Sequence, residues 1–357
     1  MSRVSWIASW MCVVTLTAAI TALTTAGPLD PPAGPVAGTH KTLSDVEPRV
    51  AINSTNTPGD ADSLYKITEP GSYYLTGNIN GVAGKHGIEI ATSGVSIDLC
   101  GFDLVGAPGM GAFDGITATG VQLRSIAIFG GSVRDWGDKG IELGGPSVDN
   151  GRIERVNVTG NAGIGLVVGN TFTVIGCTAR SNAGVGISTG TGCVVTGCSA
   201  SDNGGTGIAV GSGCNLSHSS AISNAVHGFT ATDGSAIVEC TATFNTANGI
   251  RVVGDCTVRG NTCDSNGFST GDGAGIFVIG GNNRIEANNC TDNDRGIDVN
   301  VSGNFISRNT CAGNTNNWDV VAGNVIFVVS ASTSGAFTGI SGGVPPGSTD
   351  PNANFSY

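Results

Sequence analysis

The sequence predicts an all-β chain folded as a single-stranded right-handed parallel β-helix, a solenoid of about ten coils with a 21-residue repeat. Two observations carry that expectation. Asn161, Asn182, Asn203, Asn224, Asn245 and Asn266 are each 21 residues apart, Asn293 follows after 27 and Asn314 after another 21. A fixed residue at a period near 20 marks an architecture in which each repeat is one turn of a coil. The composition agrees: 12 % of residues are charged, 6 % are aromatic and 58 of 357 are glycine, too little charge for long amphipathic helices.

The buried face follows from offsets to the asparagine. Eight residues before it stand Ile153, Val174, Val195, Leu216, Ile237, Val258, Ile285 and Ile306. Three before it stand Val158, Ala179, Ala200, Ala221, Ala242, Cys263, Cys290 and Cys311. Five before it the column reads Val156, Cys177, Cys198, Ser219, Cys240, Asn261, Asn288 and Asn309. Five after it come Leu166, Ile187, Ile208, Phe229 and Ile250, continued by Ile276 and Ile297 after small shifts. Steps of two are strand periodicity, and the step of three between groups implies a corner. Short strands joined by corners and returning in phase make a coil of parallel strands about 4.8 Å apart. Left-handed hexapeptide helices need six-residue units, and leucine-rich repeats need several leucines per unit; neither fits. The same three-then-two step at Leu99/Phe102/Leu104 and Leu123/Ile126/Ile128 carries the coil upstream to Gly87, and it runs to about Asn317.

The asparagine is the expected corner post of each coil. Its amide both donates and accepts, so it satisfies backbone groups at a turn and pairs with its neighbour up the rod, and it tolerates a left-handed backbone. The cysteines of the mature chain fall in inward columns, where they read as small packed thiols; stacking one rung apart also permits disulfides in an oxidising compartment. No CxxC pair suggests zinc.

The ends differ from the coil. Residues 1–26 read as a signal peptide: Arg3, an apolar run from Val4 to Leu23, then Thr24-Thr25-Ala26. Residues 27–86 form a lead-in and cap, with a short helix over Thr42–Arg49 capped by Ser44 and an extended run from Ser63 to Ile79. The β-helix proper spans 87–317, a last rung or C-terminal cap 318–340, and a flexible tail 341–357. Loss of Arg3 with the signal takes the net charge of −11 to −12, which disfavours nucleic acid as a partner. No stable membrane span is expected after signal removal, and a secreted, periplasmic or cell-surface location follows.

These columns, the N-x-x-G-I turns and the lead-in Pro70-Gly71-Ser72-Tyr73-Tyr74-Leu75-Thr76-Gly77-Asn78-Ile79 resemble bacterial secreted right-handed parallel β-helix proteins of the pectin-lyase-like superfamily. The resemblance spans about residues 63–317. It implies polysaccharide lyases or hydrolases, a periplasmic branch linked to copper-centre maturation, or members without known activity. The arginine motif of the lyases and the Asn-Thr-Asp and Asp-Asp signatures of the hydrolases are missing; Asn293-Asp294 is followed by Arg295. In His227-Gly228 the glycine is simply the repeat's turn residue. Met110 and four scattered histidines, His40, His86, His218 and His227, do not suit copper.

Sites are expected where the beat fails. Coils lengthen to 28 residues from Gly87 to Gly115 and 25 to Gly140, placing His86, Asp114 and Lys139 in one column on three rungs. There a general base, an orienting carboxylate and a sugar-stacking Trp136 form a candidate binding site. The second place is the insert Gly267–Asp272, where Asp264, Asp272, Asp292 and Asp294 offer carboxylates to calcium; no other cofactor is evident. The functional expectation is a secreted or cell-surface β-helix, non-catalytic and structural, adhesive or glycan-binding, with polysaccharide as partner. The alternative is a polysaccharide-active lyase or glycoside hydrolase.

Overall fold

The computed structural model describes residues 48–144, 148–267, 273–327, 329–331, 337–339 and 350–357. The expected signal peptide lies outside them, as do the helix over Thr42–Arg49, apart from its last two residues, and all of the Gly267–Asp272 insert but Gly267. Among the described residues no helix is long and apolar enough to cross a membrane.

The architecture is a parallel β-solenoid. A regular coil contains three short strands, for example Leu166–Val168, Thr173–Ile175 and Thr178–Arg180. Each pairs in parallel with its counterpart one coil on, Leu166 with Ile187, Val174 with Val195 and Ala179 with Ala200. The first strands build a 13-stranded sheet from Ser63–Ile67 to Phe337–Gly339. The second and third strands share one 24-stranded sheet, because Leu123–Arg134 and Val148–Thr159 run unbroken through both positions.

The apolar columns at −8 and +5 are fully buried, from Ile153 to Ile306 and from Leu166 to Ile297. Each such Val, Leu or Ile contributes roughly 1.5–3 kcal/mol of burial, so these columns form a continuous core through the coils. The corners depart from expectation in one respect. The left-handed residue is not the asparagine but the one before it: Gly160, Ser181, Asp202, Ser223, Phe244, Ser265, Asp292 and Gly313 all have φ between 52° and 67°. The asparagine that follows turns its amide inward across the bend.

Among the described residues about thirteen coils stand where ten were expected. The run from Ser63 to Ile79, read as a lead-in, is already coiled: Lys66 pairs with Glu89 and Tyr73 with Ile97. Uneven coil lengths hid its phase. At the other end Trp318 continues the inward column after Ile297. The tail is also corrected where it is described. Asn354–Ser356 is a strand paired with Thr310–Cys311, and Asn354 is completely buried. Polar Gly- and Pro-rich surroundings masked a strand of three residues.

Candidate functional site

The regular coils from Cys193 on carry three inward polar posts, each following a left-handed residue, and in the coil before them Phe172 takes one of the three positions. The first is the asparagine ladder, in which Asn182 Nδ2 donates to Asn203 Oδ1 at 3.0 Å while the same oxygen accepts the Asn182 backbone N–H at 3.1 Å. The donor role recurs toward the preceding rung, where Asn203 Nδ2 reaches the Ala179 carbonyl at 3.1 Å. The second column contains Cys177, Cys198, Ser219, Cys240, Asn261, Asn288, Asn309 and finally Asn354. The third contains Cys193, Cys214, Ser235, Cys256, Asn283, Asn304 and Asn324. Thiol, hydroxyl and amide do the same work there: Cys193 N–H donates to Cys214 Sγ (3.2 Å), Cys214 N–H to Ser235 Oγ (3.0 Å) and Cys256 N–H to Asn283 Oδ1 (2.8 Å). These cysteines are therefore hydrogen-bonding posts and not the apolar fillers that the sequence suggested. Cys263, Cys290 and Cys311 are the exception, stacked fully buried in the small-residue column. The ten cysteines among the described residues are free. Burial pushes the Cys240 thiol up to about 11, which keeps it protonated.

The outward face of the first sheet carries the candidate site. One of its columns runs Lys66, Glu89, Thr117, Glu142, then Val167, Ser188, Ala209 and Thr230. Charge thus occupies the N-terminal rungs of this column, is absent from Val167 to Thr230, and returns at Arg251, Asp298 and Asp319. Lys66 Nζ lies 2.7 Å from both Asp60 Oδ2 and Glu89 Oε1. Ser63 Oγ donates to Glu89 Oε2 at 2.9 Å, Thr119 Oγ1 donates to Oε1 at 2.5 Å, and Lys85 Nζ donates to the Asp60 carbonyl. Burial opposes charge on Glu89, yet Lys66 and the two hydroxyls outweigh it and hold the carboxyl below its ordinary range. Lys66 is held above its ordinary range by Asp60 and then Glu89.

The expected column of His86, Asp114 and Lys139 is brought together, but by backbone contacts. His86 Nδ1 accepts the Asp114 N–H at 2.9 Å, and Asp114 Oδ1 accepts the Lys139 N–H at 2.9 Å. The carboxyl also stands 3.6 Å from His86 Nδ1, and the two side chains (His86, then Asp114) are 20 % and 8 % exposed. Burial raises the Asp114 pKa, an effect that the Lys139 amide and ammonium reduce without cancelling. Lys139 Nζ pairs with Glu142 at 3.0 Å and Asp138 at 3.3 Å. Burial works against its charge, and the Glu142 carboxylate reverses that to a net rise. Downstream in the column, His227 Nδ1 accepts the Asn248 N–H and Asn248 Oδ1 the Ala274 N–H, the same link between rungs.

Trp136 is a correction. It is 1 % exposed and donates Nε1–H to the Leu104 carbonyl at 3.2 Å, so no sugar ring reaches its face. A Cβ on Gly87 would lie 2.8 Å from its ring, and one on Gly115 2.9 Å from Nε1. The longer N-terminal coils are wider, and the indole fills them. Among the described residues, Asp264, Asp292 and Asp294 form no group whose ligand atoms lie within 4.8 Å of one another. Asp264 accepts Thr291 and Ser265 hydroxyls, Asp294 accepts the Gly273 N–H, and Asp272 lies outside the described residues. Among the described residues the carboxylate group whose ligand atoms all lie within 4.8 Å of one another is Asp60, Asp62 and Glu89. Lys66 already sits in it as counter-ion. Sequence reasoning missed this cluster; its signal was charge in the outward column, hidden by coils of unequal length.

With this geometry in view, comparison places the fold. The chain folds as a right-handed parallel β-helix, and a family described as "Right handed beta helix region" matches residues 78–247. Among solved structures, it resembles the A-module of mannuronan C-5 epimerase AlgE4 from Azotobacter vinelandii, at 18 % identity over 76 % of this chain and 87 % of that one, with a TM-score of 0.62. The A-module of AlgE6 from the same organism gives 15 % identity over 87 % and 88 %, with a TM-score of 0.63. No curated protein matches the sequence.

Proposed function

We propose that this is an exported β-helix that binds glycan without catalysis, using the outward N-terminal face of the first sheet. One observation carries the reading: partly exposed charge pairs, Lys66 with Asp60 and Lys139 with Glu142 and Asp138, stand on the same outward face, three rungs apart. Mixed carboxylates and ammoniums on a flat sheet match the alternating donors and acceptors of sugar hydroxyls. The groups that would have to move protons are engaged in the scaffold, because His86 Nδ1 and Asp114 Oδ1 each hold an amide of the next rung. Relatives in fold include enzymes acting on mannuronan, which supports a polysaccharide as the partner class. The apolar run at residues 4–23 supports export.

The test is a glycan array read with wild type and with Lys139→Ala/Glu142→Gln. Saturable binding by the wild type and at least tenfold weaker binding by the variant are expected. Equal binding by both proteins, or no binding by either, ends the proposal.

A second reading, a polysaccharide-active enzyme, is favoured by the pair of half-buried His86 and buried Asp114, 3.6 Å apart. Incubation with alginate, pectate and neutral glucans, followed by NMR of the products, decides it. Unsaturated ends, inverted uronates or shortened chains that vanish with His86→Ala would establish turnover.

A further inference from the structure

The C-terminal strand occupies a position that the local chain should have filled. In the two preceding coils the third strand follows the second directly: Arg284–Glu286 then Asn289–Thr291, and Phe305–Ser307 then Thr310–Ala312. In the next coil Val325–Ile326 is followed by Val329–Ala331, at the same spacing. Yet Val329–Ala331 does not pair with Thr310–Ala312. Asn354–Ser356 lies between them, parallel to both, with Phe355 opposite Thr310 on one side and Ser330 on the other.

The inserted strand also completes the polar columns. Asn354 Oδ1 accepts Asn309 N–H at 3.0 Å and Asn309 Nδ2–H at 3.1 Å, the bonds that Asn288 gives Asn309 one rung earlier. Its Nδ2 donates to the Phe327 carbonyl at 2.8 Å. The first ladder ends on the same segment: Asn314 Nδ2 donates to Asn317 Oδ1 at 2.8 Å, and Asn317 Nδ2 to Ser356 Oγ at 2.5 Å. Two of the three polar columns therefore terminate on a strand that arrives 45 residues after Asn309 and 39 after Asn317, against a repeat of 21.

We propose that the gap between Thr310–Ala312 and Val329–Ala331 is a strand-acceptor site, and that its occupant in trans is the C-terminal strand of a second copy of this chain. The site selects by chemistry. It needs an amide at the position of Asn354, small residues at Ala353 and Ser356, and nothing particular at Phe355, which is half-exposed. Main-chain bonds supply affinity and the alternate inward side chains supply specificity, the logic of strand addition to a sheet. Nothing in the slot distinguishes the chain's own strand from a copy's, because the contacts that fill it are made by residues 350–357 themselves. Linkage favours the intramolecular strand at low concentration, with exchange between copies when folding occurs at high concentration.

The test uses the chain ending at Thr349 and a labelled synthetic peptide of residues 350–357. Saturable peptide binding, a peptide-dependent rise in Tm and at least tenfold weaker binding of the Asn354→Ala peptide are expected. A folded truncated chain that ignores the peptide, or that melts where the full chain does, overturns the proposal. If the truncated chain does not fold, full-length Ser356→Cys decides, because Ser356 is paired with Cys311 at a separation that suits a disulfide. Oxidation should then join the introduced thiol to Cys311 within one chain after dilute refolding, and to Cys311 of a second copy, as a dimer, after concentrated refolding. Intrachain bridging alone at every concentration, or no bridge, overturns the exchange.

Discussion

The sulfur of Cys214 accepts the backbone N–H of Cys193 at 3.2 Å, in the column where Asn304 accepts the N–H of Asn283 at 2.8 Å. Cys214 also donates to the Gly190 carbonyl at 3.2 Å, so it is a polar residue at this site. Cys214→Ser should stay within about 1 kcal/mol of wild type, whereas Cys214→Val strands a buried N–H and a carbonyl and costs roughly 1–3 kcal/mol. Cys290, in the apolar column, should show the opposite order, tolerating Ala better than Ser. Urea melts of the four variants check this, and equal costs at the two cysteines would refute the distinction.

The Asn203 side chain bears four bonds at once. Replacing it with Ala removes the acceptor for two Asn182 donors and the donor to Ala179 and Asn224, an expected loss of about 2–4 kcal/mol. Asn203→Asp keeps the acceptor but sets a carboxylate oxygen against the Ala179 carbonyl, so it should be at least as damaging at neutral pH and recover in acid. Thermal melts at two pH values read both effects.

The ladder was legible because one residue type repeats at one phase. The posts beside it were not, because Cys, Ser and Asn share a geometry and no letter, so Cys214 and Asn304 looked unrelated. Trp136 was opaque for a different reason. A single indole in a long coil reads equally as a surface platform or a plug, and only the surrounding Gly87 and Gly115, which leave room for its ring, tell the two apart. Of the candidate site, the sequence aligned His86, Asp114 and Lys139 in one column but could not show the His86 and Asp114 side chains bonded to amides of the next rung. The Lys66–Glu89 pair was lost because uneven coils carry no period.

Glu89 should make the N-terminal rungs sensitive to acid. Its folded pKa lies below its ordinary value, so its contribution is present above 4.5 and is lost as pH falls through the folded value. Glu89→Gln should therefore flatten the dependence of stability on pH below 4.5. Denaturant midpoints that fall with pH in parallel in both proteins would exclude this role.

His227 acts in a neighbouring range. Burial, followed by the nearby Arg251, lowers its pKa from 6.5 to about 4. A lowered base binds fewer protons when folded, so stability is present above pH 6.5 and declines as pH falls toward 4. With its partial exposure the loss is about 2 kcal/mol. His227→Gln should remove most of this slope, and an unchanged slope would rule the assignment out.

Trp136 separates scaffold from binding. Trp136→Ala empties the core of the wide N-terminal coils and should cost about 3–5 kcal/mol. Trp136→Phe retains most of the volume but strands the Leu104 carbonyl, an expected cost of roughly 1–3 kcal/mol. Because the indole is buried, the folded Phe variant should bind any glycan retained by wild type with unchanged affinity, measured by calorimetry at a temperature where both are native. A selective loss of binding in a protein with wild-type circular dichroism would mean that the ring reaches the ligand in solution, and the buried position assigned to Trp136 would then be wrong.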